Sequence, residues 1–314
     1  PAMFWFANRT GDPSLLWMEY NYLKKKSVSR DRMLPALLVW CAGIKTENIT
    51  PPEELIWVGQ GKNPVALMRS SWTDPDAIYV GIKGGSPSVN HAHMDVGSFV
   101  MDANGERWAM DFGMQDYNSL ESAGVNLWGS GQTSQRWEVF RYNNLAHNTL
   151  TINNQHQIVG GNALITSHSD DPEMMNAVTD ISSVYSGSLA KAVRGIAIAG
   201  HRYVTVRDEI ETLSSEVVVR WNLLTSAEVT ITGSNTAELV KNGKKMLLKV
   251  TEPANVTMKT WSTVSPNSYD APNPGTIMTG FEVTIPANTA ASLTVLLLPD
   301  GAVENNSVSV KRLI

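Results

Sequence analysis

Three of the six histidines fall close to carboxylates in a pattern that could do chemistry. His91 and His93 stand in Asn90-His91-Ala92-His93-Met94-Asp95-Val96-Gly97-Ser98, Asp111 in Trp108-Ala109-Met110-Asp111-Phe112-Gly113, and His147 in Ala146-His147-Asn148-Thr149-Leu150. Imidazole nitrogen and carboxylate oxygen together suit a zinc-like ion. In an extended stretch a His-x-His pair sends both imidazoles to one side, because strand side chains alternate. His93, Asp111 and His147 are separated by 18 and 36 positions, so only tertiary structure can gather them. Two histidines and one carboxylate would leave a fourth zinc position for water or another ligand. On spacing alone the plainer reading, three unrelated polar residues hydrogen-bonded in loops, stands slightly ahead. His91 would flank the set, and an imidazole titrating near neutrality can carry a proton; its plain alternative is a satisfied loop histidine.

The remaining candidates are weaker. His156, His168 and His201 lie in turn-like or strand-start settings and read as ordinary surface residues. Arg136, Arg141 and Arg194 could pair with a substrate carboxylate or sulfate, with structural ion pairs as the alternative. Ten tryptophans is a high count, and Trp108, Trp128 and Trp137 share the histidine-bearing stretch; most are expected in the core, while an exposed one would suit stacking on a sugar. There is no phosphate-binding glycine loop, His-Glu-x-x-His, Cys-x-x-Cys or Gly-x-Ser-x-Gly. Gly84-Gly85 and Gly129-Ser130-Gly131 read as loop punctuation. The 30 acidic residues offer no distinguishing glycosidase pair.

The elements that must hold these groups divide the chain. Residues 1–63 read as helical: Asp12 before Pro13 is a cap and first-turn pair, and Leu15, Leu16, Tyr20 and Leu23 recur at helical spacing. Lys24-Lys25-Lys26 reads as the solvated end of that helix. A second helix is expected from near Asp31, with Pro35 in its first turn, to Gly43. From about Pro64 short alternating runs take over, with strands expected at 65–71, 77–82, 98–102, 107–111, 148–152, 193–199, 203–210, 216–221, 245–250, 280–285 and 291–297. Asn104-Gly105 signals a type I′ hairpin. A symmetric hairpin there would set Asp111 opposite about Ser98, so a bend near Gly97 would be needed to bring His93 to it.

The fold expected is therefore mainly β, with layered antiparallel sheets of the β-sandwich type behind a short helical segment. We expect a β domain carrying the metal site at 64–225 and a carboxy-terminal β region at 226–314. At 314 residues, 42% hydrophobic and 18% charged, the chain is ordinary globular material. A formal charge of −5 argues against nucleic-acid binding through phosphate neutralisation. The one cysteine, Cys41, follows an apolar run and is expected to be a buried small hydrophobe, so no disulfide forms within the chain. No apolar run reaches about 18 residues and no leader pattern opens the sequence, so a soluble chain without membrane insertion is expected.

At the same residues the chain resembles the heparinase II/III-like polysaccharide lyases, the heparinase II branch more than the heparinase III branch. The resemblance rests on residues 90–99, Arg107–Gly113, Gln135-Arg136-Trp137 and Ala146–Leu150. It is strongest from about 64 to 210 and fades in the last 90 residues. It implies an α/α toroid whose last helices would be residues 1–63, followed by antiparallel β layers. It implies that His93, Asp111 and His147 hold a mainly structural zinc and that His91 is the catalytic histidine, with Asn90, Tyr117 and Arg136 near substrate. The implied reaction is β-elimination of a uronic-acid-containing, heparin- or heparan-sulfate-like polysaccharide by a periplasmic or secreted bacterial protein. An alginate lyase, or a non-catalytic carbohydrate-binding β-sandwich stabilised by metal, are the alternatives. A homodimer is compatible with the resemblance. Such lyases also use a toroid tyrosine and a second polar residue well upstream of the His-x-His element. Tyr20 and Tyr22 are not convincing replacements, so the chain is expected to lack most of the toroid and to be inactive alone.

Overall fold

The computed structural model describes residues 2–23, 29–302 and 313–314, and Lys24-Lys25-Lys26 lie outside them. Two compact units separate: residues 1–55 with 72–74, and residues 56–71 with 75–314.

The smaller unit is helical. Helix α1 spans Ala2–Thr10. A 3-10 turn at Pro13–Leu16 then runs into α2, Trp17–Leu23. The Asp12 side chain caps that turn by accepting from Ser14 N at 2.9 Å, and Pro13 sits where its missing N–H costs nothing. Helix α3, Leu34–Trp40, starts later than Asp31, whose carboxylate instead accepts from Met33 N in the turn ahead of it. Pro35 lies in its first turn as expected. Phe4, Ala7, Leu16, Leu37 and Ile49 form the small core. Cys41 caps α3 and is only half-buried, a correction to the expected full burial, because it follows the last helical turn rather than facing inward from it.

The larger unit is built from antiparallel strands. A five-stranded meander runs in sequence order through β1 Ile56–Gly59, β2 Val65–Arg69, β3 Tyr79–Lys83, β4 Phe99–Ala103 and β5 Glu106–Ala109. Asn104 and Gly105 both have positive φ (53° and 70°), which is what the expected hairpin requires. The hairpin is not symmetric, since the register shifts between Met101 and Asp102. A second sheet has β6 Thr151–Ile152 and β15 Met258–Ser262 at its edges, with β11 Val217–Thr225 and β16 Ile277–Ile285 inside.

The third sheet has eight strands. Its outer members are β7 Ile165–Ser169 and β8 Met174–Asp180 on one side, and β12 Glu228–Gly233, β13 Thr236–Lys241 and β14 Lys244–Glu252 on the other. Its centre is β9 Leu189–Ala199, β10 Tyr203–Thr212 and β17 Ala290–Pro299. These central strands are buried on consecutive residues, as in Tyr203–Asp208, so both faces are covered and alternation is lost. Because β14 pairs with β17 and β17 with β10, β12, β13, β14 and β17 belong to the same sheet as β7–β10, while β15 and β16 join β11 and β6 in the second. No compact unit begins at 226. Trp221 on β11 stacks on Phe281 of β16 at 6.1 Å and meets Phe99 of β4 at 6.3 Å, joining the second sheet to the first.

Candidate active site

The segment between β3 and β4 carries both motif histidines, and its path is set by partners distant in sequence. Met94 N donates to Tyr142 O at 2.8 Å, Val96 N to Gln157 Oε1 at 3.2 Å, and Thr149 Oγ1 to Val96 O at 2.6 Å. Gly97 turns the chain with φ 80°, and a Cβ there would press on Thr149 Oγ1 and Ile181 at 3.2–3.3 Å. The bend anticipated at Gly97 is present. The shared side for the two imidazoles is not, because the segment is a turn and not a strand. His91 adopts φ 62° and is exposed, whereas His93 is half-buried.

His93, Asp111 and His147 come together. His93 stacks on Tyr142 with centroids 4.4 Å apart, and its ring centroid lies 5.6 Å from that of His147. His147 ends a 3-10 turn at Asn144–Ala146 and is fully buried. Its Nδ1 hydrogen-bonds Asp111 Oδ2 at 2.6 Å, and Asp111 Oδ1 accepts from Gly113 N at 2.7 Å. His147 Nε2 is buried and has no hydrogen-bond partner among the described residues. Burial, reinforced by His147, pushes the His93 pKa down to about 4. Burial alone would raise the Asp111 carboxyl, but the charge and hydrogen bond of His147 hold it below the usual carboxylate range. Burial likewise opposes charge on His147, and Asp111 outweighs it, so the His147 pKa is raised.

Among the described residues no group of three or more His, Cys, Asp and Glu side chains is spaced as a ready metal cage. The donor set nonetheless fits one. Two imidazoles ligating one zinc at about 2.0–2.1 Å set their centroids about 5 Å apart, close to the 5.6 Å between His93 and His147. Asp111 faces His147 Nδ1, so a metal shared with Asp111 would be held by that nitrogen and not by the unpartnered Nε2. What closes the space is the 2.6 Å Asp111–His147 hydrogen bond. Two ligand atoms around a tetrahedral zinc lie about 3.3 Å apart, so that contact would lengthen.

Buried polar groups lock this cluster in place. Asn148 donates to Phe99 O and Met110 O, both at 2.8 Å, and accepts from Leu224 N at 2.6 Å, fastening the segment that carries His147 to β4, to the residue ahead of Asp111 and to β11. Arg194 on β9 is 1% exposed and pairs with Asp208 through two bonds of 2.7 and 3.0 Å. Its Nη1 donates to Gly97 O and Asn148 O, each at 2.9 Å. Arg194 is therefore a structural ion pair and not a substrate contact. Arg141 is spent on Asn273 Oδ1, Pro272 O and Met114 O.

His91 belongs to a different, exposed cluster. Its Nδ1 lies 3.1 Å from the Tyr117 hydroxyl, and the rings stack at 5.6 Å. Tyr117 opens helix α4, Tyr117–Ser122, which Asp116 caps by accepting from Ser119 N at 2.8 Å. Arg136 is buried, donates to Ala92 O at 2.8 Å and the Tyr117 hydroxyl at 3.3 Å, and lies over the Tyr142 ring at 4.7 Å. Asn90 is exposed in the turn beside His91. Sequence reasoning left Tyr142, Asn148, Asp95 and Glu121 without roles. Tyr142 underlies His93, and Asp95 forms an ion pair with Lys83 next to the histidine cluster. Only Asn148, adjacent to His147 in the motif, carried a signal that could have been read. His156, His168 and His201 lie after β6, on β7 and at the β9–β10 turn, and join neither cluster.

Residues 65–301 match the family described as Heparinase II/III-like, C-terminal. The chain belongs to that family. Similar solved structures include a heparinase III gene product (16% identity, TM-score 0.62, covering 91% of this chain and 42% of that one). Another is titled heparinase III (16%, 0.64, 81% and 38%). A third is the heparan sulfate lyase HepC from Pedobacter heparinus (16%, 0.63, 96% and 45%). At these identities the matches speak to fold, and the preference for the heparinase II branch stays an expectation. The chain spans 38–45% of the length of these three structures. No curated protein matches it in sequence. Among the described residues no helix is long and apolar enough to cross a membrane.

Proposed function

We propose that this chain is the carboxy-terminal part of a polysaccharide lyase acting by β-elimination on a uronic-acid-containing glycan of the heparin or heparan sulfate kind. The observation that carries the reading is the division of labour inside one motif. His91 is exposed and oriented by Tyr117, while His93 two residues on is drawn into a buried cluster with Asp111 and His147.

In β-elimination the C5–H bond breaks and the proton passes to a base. The electron pair forms the C4–C5 double bond, the bond from C4 to the glycosidic oxygen breaks, and that oxygen leaves with a proton. The uronate carboxylate must be neutralised for the C5 proton to become acidic enough. In this reading the Tyr117 hydroxyl sets the tautomer of His91. Arg136 can only donate, so the Tyr117 hydroxyl accepts from it and turns its own proton toward His91 Nδ1. An uncharged His91 then carries its proton on Nε2; as that proton passes to the leaving oxygen, Nδ1 takes the Tyr117 proton, so the imidazole stays neutral, the phenolate forms beside Arg136, and a proton from solvent restores the hydroxyl. Arg136, being buried, would act through Tyr117 and not by touching substrate. Asn90 would bind substrate from the same turn.

His93, Asp111 and His147 would hold zinc, which when bound supplies a rigid crosslink between the His91-bearing loop and the strands behind it. The second acid or base is expected from helical sequence of the parent protein, so this chain alone is expected to be inactive. A periplasmic or secreted location is what the family resemblance implies, and a homodimer is compatible with it. The test is ultraviolet absorbance from C4–C5 unsaturated ends when the full-length parent meets heparan sulfate, heparin, chondroitin and alginate. Unsaturated product from alginate alone would move the substrate to that polymer. No product from any of them would leave a carbohydrate-binding β-sandwich.

A further inference from the structure

Trp128 follows α4 and is 60% exposed, while Trp108 and Trp137 of the same stretch are buried. Exposure of one large ring needs no explanation by itself, but this ring is held. Its Nε1 donates to Glu121 Oε1 at 2.8 Å. It stands perpendicular to Tyr117 (5.6 Å, 89°) and to His91 (6.4 Å, 81°). The backbone around it is fixed as well. Asn126 N donates to Gln135 Oε1 at 2.8 Å, and Ser134 Oγ donates to Gly129 O at 2.8 Å. A Cβ at Gly129 would come within 2.6 Å of Ser134 Oγ, so the residue after Trp128 is glycine because the loop closes on itself there.

An indole whose N–H edge is tied down and whose surface is open presents an apolar face in a fixed direction. The C–H face of a pyranose ring matches such a surface, and pre-ordering the indole removes the entropy cost of fixing it on binding. We propose that Trp128 is a sugar-stacking platform forming a subsite beside His91 for one pyranose ring of a uronate glycan, and that Glu121 is its positioning residue. The inference rests on the glycan reading of the site. The short distance to His91 places the stacked ring at, or next to, the bond to be cleaved.

The test uses the full chain with a tetrasaccharide of alternating glucuronate and N-acetylglucosamine. Calorimetry gives the Kd, and the indole N–H resonance lost in Trp128→Phe reports contact. Trp128→Ala is expected to weaken binding about five- to tenfold, while Trp128→Phe keeps most of the affinity. Glu121→Ala is expected to weaken it two- to threefold, and Glu121→Gln, which keeps an acceptor for Nε1, to restore it. Melting temperatures should stay at the wild-type value throughout. Unchanged affinity in Trp128→Ala, an unperturbed indole signal, or no binding at millimolar tetrasaccharide would each overturn the platform. Tryptophan-dependent binding without unsaturated product from the parent protein would retain the platform and remove the lyase reading. Elimination with an unaltered KM in Trp128→Ala would do the reverse.

Discussion

His91 and His93 are two residues apart and live in opposite surroundings. His93 stacks on Tyr142, faces His147, and is pushed by burial down to about 4, so at neutral pH it is an uncharged donor of electron pairs. His91 is exposed on a left-handed turn, with Tyr117 and Trp128 as its ring neighbours. The comparison teaches that the roles of two like residues in one motif are assigned by what the rest of the chain packs around them, not by their spacing. Each assignment can be broken separately.

The largest effect should come from behind the buried cluster. Arg194 holds Gly97 O and Asn148 O, one on each arm of the site, and among the described residues its ion pair is with Asp208. Asp208→Ala strands a buried guanidinium and is expected to cost about 3–5 kcal/mol in urea unfolding. A loss under about 1 kcal/mol would show that the arms are held by other means. His91→Asn, in contrast, keeps a residue that tolerates positive φ and removes only the imidazole. In the full-length parent it is expected to lower turnover by about 10²–10⁴-fold with melting temperature and bound zinc unchanged. A parallel fall in zinc content would mean that the two histidines have been assigned the wrong way round.

How much of this was legible beforehand depends on the range of the forces involved. The Asp12-Pro13 helix start and the Asn104-Gly105 hairpin were readable because each is fixed by residues within a few positions, and the bend at Gly97 because a glycine marks it. The divergence of His91 from His93 was not. Strand alternation was the wrong rule for a segment whose path is dictated by Tyr142, Thr149 and Gln157, all more than forty positions away. Arg194 could not be told from a substrate-binding arginine until Asp208 was seen opposite it on the paired strand. The edge strand β7, exposed over Thr166–His168, lacks the apolar alternation that would have announced it.

Third in size is the buried cluster itself. His147→Ala removes a charged hydrogen bond to Asp111, worth about 1.5–3 kcal/mol, and is expected to lower thermal stability and zinc content together. Chelation of the wild-type chain should move the melting temperature in the same direction, and should leave His147→Ala unmoved. If metal analysis of the purified wild-type chain finds no stoichiometric ion, the cluster is a hydrogen-bonded core and the zinc proposal fails.

The smallest and most discriminating change is Tyr117→Phe. The ring that stacks on His91 remains, and only the hydroxyl between His91 Nδ1 and Arg136 Nη2 is lost. Arg136 keeps its bond to Ala92 O, so no buried charge is stranded and stability should change by no more than about 1 kcal/mol. Without the hydroxyl proton on Nδ1, His91 is free to carry its own proton on either nitrogen, and part of the population presents the wrong one to substrate. Turnover in the parent protein is then expected to fall severalfold with KM nearly constant, because the ring surface that substrate meets is intact. A rise in KM with unchanged turnover would instead make the Tyr117 hydroxyl a substrate contact, and the tautomer of His91 would have to be set by something else.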